Sequence, residues 1–143
     1  MSKHVPSKLI SLFIKMWNED NAGWMTVSKD TINDGWCYQV AVLLKRFNSD
    51  NEVKLCSDHG HAWVKIGDKY YDSATPNGTK SIKKLACDRW GDLRIDIPEE
   101  ELIDQWKHSN TGVVQTHLID KVIAAYRVPP HTTNQWWWAR LFK

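Results

Sequence analysis

Three side chains of this sequence are of the types that nucleophilic chemistry needs, and they stand in a workable order: Cys37, His61 and Asp72. A cysteine attacks as the thiolate, and a helix N-terminus favours that form because unpaired backbone N–H groups and the macrodipole stabilise negative charge. Cys37 follows Asn33-Asp34-Gly35, a turn signal, and precedes Val40, Leu43, Leu44 and Phe47, which recur at helical spacing. The pattern predicts a helix from about Trp36 to Phe47 with Cys37 at its start, on the inward face. The N–H of Cys37 would then be free for a developing oxyanion, and Gly35 would allow a tight turn into the helix.

A nucleophile also needs a base, and the base needs a group that orients it. His61 to Ile66 and Lys69 to Ser73 read as two strands joined at Gly67-Asp68, a two-residue hairpin turn. In that register Trp63 lies opposite Asp72 and His61 opposite Ala74. His61 and Asp72 become diagonal neighbours on one face, roughly 7–8 Å apart and within reach of a hydrogen bond. A slip of one residue would separate them. The other face carries Ala62, Val64, Ile66 and Tyr71, a suitable core face.

Gly35-Trp36-Cys37-Tyr38 resembles the Gly-x-Cys-aromatic nucleophile motif of transglutaminase-like and papain-like proteins. Gly60-His61-Ala62-Trp63-Val64 resembles the His-Ala-Trp-Val strand of the transglutaminase-like branch, and Tyr71-Asp72-Ser73 the strand that ends in its orienting Asp. The resemblance covers residues 33–76. It implies a transglutaminase-like or papain-like core and cysteine-dependent acyl chemistry, as a thiol hydrolase, peptidase, amidase or transglutaminase-like acyltransferase. Cys37 would attack a carbonyl of a peptide, protein or other amide substrate, His61 would shuttle the proton, and Asp72 would hold the imidazole. No glutamine precedes Cys37 to serve the oxyanion, so Trp24, Trp17 or Asn33 would donate instead. Trp24 comes first because tryptophan donors occur in the transglutaminase branch. Trp24, Gly35, Trp36 and Trp63 are the candidates for the oxyanion site and substrate groove. Some relatives in such families only bind, so an idle module that engages a protein or small ligand is the alternative.

Plainer readings stand beside these. A free cysteine is commonly a buried structural one, and His61 could be a core histidine. His59 shares the strand parity of His61 and competes as base, although Asp58 and Gly60 around it suggest a turn tip. Cys56, Asp58, His59 and His61 are metal-ligand types within a short span. A zinc site draws on separated ligand pairs, and no second cluster follows, so neither metal nor cofactor is expected. Trp136, Trp137 and Trp138 cannot share one face of a helix or strand. They either dock back on the core or present a surface to a protein partner.

The elements that must position the site follow from periodicity. Residues 7–17 read as a helix through Leu9, Leu12, Phe13 and Met16, and Val53 to Ser57 as a first strand. Residues 74–80, with Pro76 and Gly78, read as a loop. Ile82 to Cys87 reads as a short helix and Leu93 to Ile97 as a strand. A helix is expected from Pro98 to near Asn110, and another from Val113 to Tyr126. The expectation is one α+β domain over residues 1–143, with the nucleophile helix packed on an antiparallel sheet. Its core motifs lie at 33–76, and a mixed, largely helical part spans 80–143.

Composition narrows the partners. The chain has 143 residues, 42% hydrophobic and 25% charged, enough for a real core. A net charge of +2 from 19 basic and 17 acidic residues points to neither nucleic acid nor membrane. Three cysteines without Cys-x-x-Cys spacing, and no secretory leader, suggest a reducing, cytoplasmic setting.

Overall fold

A computed structural model describes residues 5–21, 25–48, 52–58, 60–85, 93–108 and 112–128. Among them are four α-helices and five strands, in the order α1 (Val5–Asp20), α2 (Cys37–Phe47), β1 (Val53–Ser57), β2 (Ala62–Ile66), β3 (Lys69–Asp72), β4 (Thr75–Thr79), β5 (Arg94–Ile95), α3 (Glu99–Gln105) and α4 (Thr116–Arg127). The fold is α+β. The strands form one sheet in the order β4-β3-β2-β1-β5, with every paired neighbour antiparallel.

The helix that carries Cys37 lies at the centre. Its first eight residues, Cys37 through Leu44, are all buried, so the helix is enclosed on every side rather than along one stripe. It packs on β1, β2 and β3 and touches α1, α3 and α4. Its solvent end is held by Arg46, which forms a two-pronged ion pair with Glu99 at the start of α3 and reaches Asp120 of α4. The main core joins Leu9, Phe13 and Trp17 of α1 to Val40 and Leu43 of α2, Leu55 of β1, Val64 of β2 and Leu118 and Val122 of α4. A smaller cluster on the sheet's other face groups Cys56, Trp63 and Leu85.

Several elements depart from the expected bounds for visible reasons. The first helix runs beyond 7–17 because the segment after it holds its last turns. The Trp17 indole donates to the Met25 carbonyl at 2.8 Å, and the Asn18 amide exchanges two hydrogen bonds with the backbone of Val27. Residues 75–79 form a strand, not a loop. Pro76 is tolerated because β4 is an edge strand whose outer side needs no ladder donor. Gly78 is required there. Its φ is 78°, and a Cβ would stand 2.7 Å from the Tyr71 ring.

Among the described residues the segment from Ile82 makes a 3₁₀ turn, Ile82–Lys84, and the strand expected at 93–97 is reduced to Arg94–Ile95. The third helix ends at Gln105, where Trp106 turns in to stack on Tyr38 with ring centroids 4.9 Å apart. The fourth starts at Thr116, after the Gln115 N–H is taken by the Gln39 side chain. Among the described residues no helix is long and apolar enough to cross a membrane. Trp24, His59, Cys87 and Trp136–Trp138 lie outside the described residues.

Candidate functional site

The β2–β3 hairpin has the register that its two-residue turn requires. Val64 pairs with Tyr71 and Ile66 with Lys69 across Gly67-Asp68. Gly67 takes φ 61°, a value that suits glycine. His61 immediately precedes β2, and Asp72 ends β3. Their side chains meet: His61 Nε2 lies 2.8 Å from Asp72 Oδ2. Asp72 is itself oriented, since Oδ1 accepts the Ala74 N–H at 3.0 Å. With Nε2 turned to the carboxylate, Nδ1 is the ring nitrogen left for a thiol.

Cys37 is the first residue of α2. The turn before it closes through Asp34 N–H to Thr31 O and Trp36 N–H to Ile32 O, and Gly35 takes φ 118°, where a side chain would be strained. The Ser73 hydroxyl donates to Asn33 Oδ1, which ties the approach to α2 to the residue after Asp72. This tether and the packing of α2 on β2 bring Cys37 to His61, whose ring interacts with both Cys37 and Asp72.

Burial alone would lower the His61 pKa. The hydrogen bonds that Asp72 and then Cys37 make with the ring outweigh it and raise the value to about 9. All three side chains are shielded from solvent: Cys37 and His61 are 2% exposed and Asp72 1%.

The tryptophans expected at the oxyanion site divide. Trp17 is committed to the Met25 carbonyl. Trp36 is buried edge-to-face against Trp17, with centroids 5.8 Å apart, and its indole N–H has no partner among the described residues. Trp63 is fully buried on the sheet face of the smaller cluster and lies under His61, with centroids 5.8 Å apart and planes 22° apart. Its N–H also has no partner among the described residues. Asn33 accepts from Ser73.

Cys56 sits apart in the smaller cluster, where burial pushes its thiol up to about 11. Among the described residues no three His, Cys, Asp or Glu side chains group closely enough to hold a metal ion.

Two groups beside the site did not stand out as site residues in the sequence. Ser73 is one. The other is Asp58, a buried carboxylate whose Oδ1 accepts the N–H groups of Gly60 and His61, both at 2.8 Å. The Asp58-His59-Gly60 run is an Asx-turn signature and was the available signal.

The chain matches neither a curated protein nor a solved structure. A family model described as Phage YunG-like protein matches residues 13–107, more than half the chain and all of Cys37, His61 and Asp72. This corrects the transglutaminase-like and papain-like assignment, and the protease and hydrolase labels that came with it. The motifs behind that resemblance are short. They consist of residue types that any thiol, imidazole and carboxylate need when placed at a helix start and on a hairpin. By the span of the match, the chain belongs to the Phage YunG-like protein family.

Proposed function

We propose that this protein carries out cysteine-dependent acyl chemistry, with Cys37 as nucleophile, His61 as proton shuttle and Asp72 as the group that orients His61. The observation that carries the reading is His61 itself, a buried histidine engaged on one side by Asp72 and on the other by Cys37. With a pKa near 9, His61 holds a proton at neutral pH, and its charge favours attack by sulfur in the thiolate form.

The sulfur adds to the carbonyl carbon of an amide or ester, and the carbonyl electrons move to oxygen. The N–H groups of the first turn of α2, where Cys37 stands, would donate to that oxygen. Collapse expels the amine or alcohol, which leaves with the proton from His61, and a thioester remains on Cys37. Water or an amine then adds to the thioester and gives a proton to His61, and the thiolate is released.

Exposure to a small activated ester tests this. With p-nitrophenyl acetate, peptide mass spectrometry should find an acetyl group on Cys37 of the parent. It should be absent from sulfur in Cys37→Ser and form much more slowly in His61→Gln. Acetylation confined to surface lysines, with Cys37 untouched, would count against the reading.

The near-complete burial of all three side chains favours a second reading, an idle module that binds a protein or small ligand. In that case Cys37→Ala keeps the binding function, and no acyl adduct forms under any condition that leaves the fold intact.

A further inference from the structure

We propose that Asp58 is a positioning residue for His61. It acts through the backbone to fix where the imidazole enters the site, and this role rests on the acyl-chemistry reading above. His61 stands just before the first residue of β2, so the ladder alone does not fix its backbone. Asp58 supplies the missing constraints. Its Oδ1 accepts the Gly60 N–H at 2.8 Å and the His61 N–H at 2.8 Å, and its own N–H donates to the His61 carbonyl at 3.1 Å. Both backbone groups of His61 are therefore held by one residue.

The neighbourhood explains why that hold matters. The His61 ring rests on Trp63, reaches Asp72 through Nε2 and meets Cys37 on its other side. Three contacts must be met from one Cα position, so a small backbone shift degrades all of them. A misplacement of about 1 Å can cost on the order of a hundredfold in rate. Asp58 is also costly to keep: it is buried, and Oδ2 has no partner among the described residues. A carboxylate kept dry and half satisfied is expensive unless its other oxygen does something the fold requires. Two backbone hydrogen bonds, at His61 and Gly60, are what that oxygen does.

The test is the pH profile of Cys37 alkylation by iodoacetamide in the full-length chain, with Cys56 as internal reference. The variants are Asp58→Ala, Asp58→Asn and His61→Gln. Asp58→Ala removes the acceptor and should lose on the order of ten- to a hundredfold of the His61-dependent rate, with a profile that approaches that of His61→Gln. Asp58→Asn keeps an Oδ1 acceptor without the charge and should restore the parent profile.

Two results would overturn the proposal: a folded Asp58→Ala chain with the parent profile, or an Asp58→Asn chain as impaired as Asp58→Ala. If Asp58→Ala does not fold, Asp58→Ser carries the test. Its shorter acceptor should give an intermediate rate, and a parent-like rate overturns the role. A parent whose Cys37 rate ignores His61→Gln sinks the acyl reading itself and the positioning role with it. A His61-dependent parent with an Asp58-independent profile sinks only the second.

Discussion

His61 Nε2 lies 2.8 Å from Asp72 Oδ2, and both residues are buried. The pair joins a residue just before one strand to the last residue of the next. It therefore exists only while the hairpin keeps its register, and it leaves Nδ1 as the ring nitrogen available to Cys37 at the start of α2.

Removing the carboxylate should cut back the upward shift of His61. Burial lowers the pKa, while the hydrogen bonds to Asp72 and Cys37 raise it to about 9. In Asp72→Asn the desolvation cost loses its largest opponent. The His61 pKa, followed by NMR of the imidazole, should fall by more than one unit. An unchanged value would mean that Asp72 does not set the basicity of His61.

The same shift makes stability depend on pH. The folded pKa of about 9 exceeds the unfolded value near 6.5, so between these limits the His61 ring binds more of a proton in the folded chain than in the unfolded one. The His61 contribution is fully present below about pH 6.5 and is lost as pH rises through about 9. In Cys37→Ser, where no thiol titrates at this position, urea unfolding should show stability declining as pH rises through this window, and less so when His61→Gln is added. A Cys37→Ser curve that is flat or rises with pH would contradict it.

How far such features could be read in advance differs by element. The α2 pattern, the hairpin turn and its register were legible because each depends on local periodicity and a Gly-Asp turn. The edge strand Thr75–Thr79 was not, because Pro76 and Gly78 signal a loop unless the neighbour is known. Only Tyr71, lying across the sheet, explains Gly78. The family was misread for a related reason, since short motifs report the chemistry a site needs and not the ancestry of the chain. Asp58 and Ser73 escaped because their roles are made by partners that only the folded chain supplies.

The two hairpin glycines give a stability contrast. Both have positive φ, but a Cβ at Gly67 would meet nothing within 4 Å, whereas one at Gly78 would press on the Tyr71 ring at 2.7 Å. Gly67→Ala should cost about 1 kcal/mol of backbone strain, and Gly78→Ala about 2–4 kcal/mol from strain and overlap together. Thermal unfolding of the two variants checks the order, and equal losses would speak against the β3–β4 packing described.

The tether between Asn33 and Ser73 should matter to Cys37 more than to the fold. Ser73→Ala leaves a partly buried acceptor short of one hydrogen bond, a loss of about 1–2 kcal/mol. Because the bond links the approach to α2 with the end of β3, alkylation of Cys37 should become less dependent on His61. A stability loss with an unaltered Cys37 profile would confine the tether to a structural role.

The most direct measurement is the rate of iodoacetamide alkylation at each cysteine against pH, read by peptide mass spectrometry, in the parent and in His61→Gln. The account predicts that Cys37 reacts near neutral pH in the folded parent and slows at least tenfold without His61, while Cys56, pushed up to about 11 by burial, stays unlabelled in both. If Cys37 is as inert as Cys56, or reacts equally well without His61, the Cys37–His61–Asp72 arrangement does not act as a nucleophilic site.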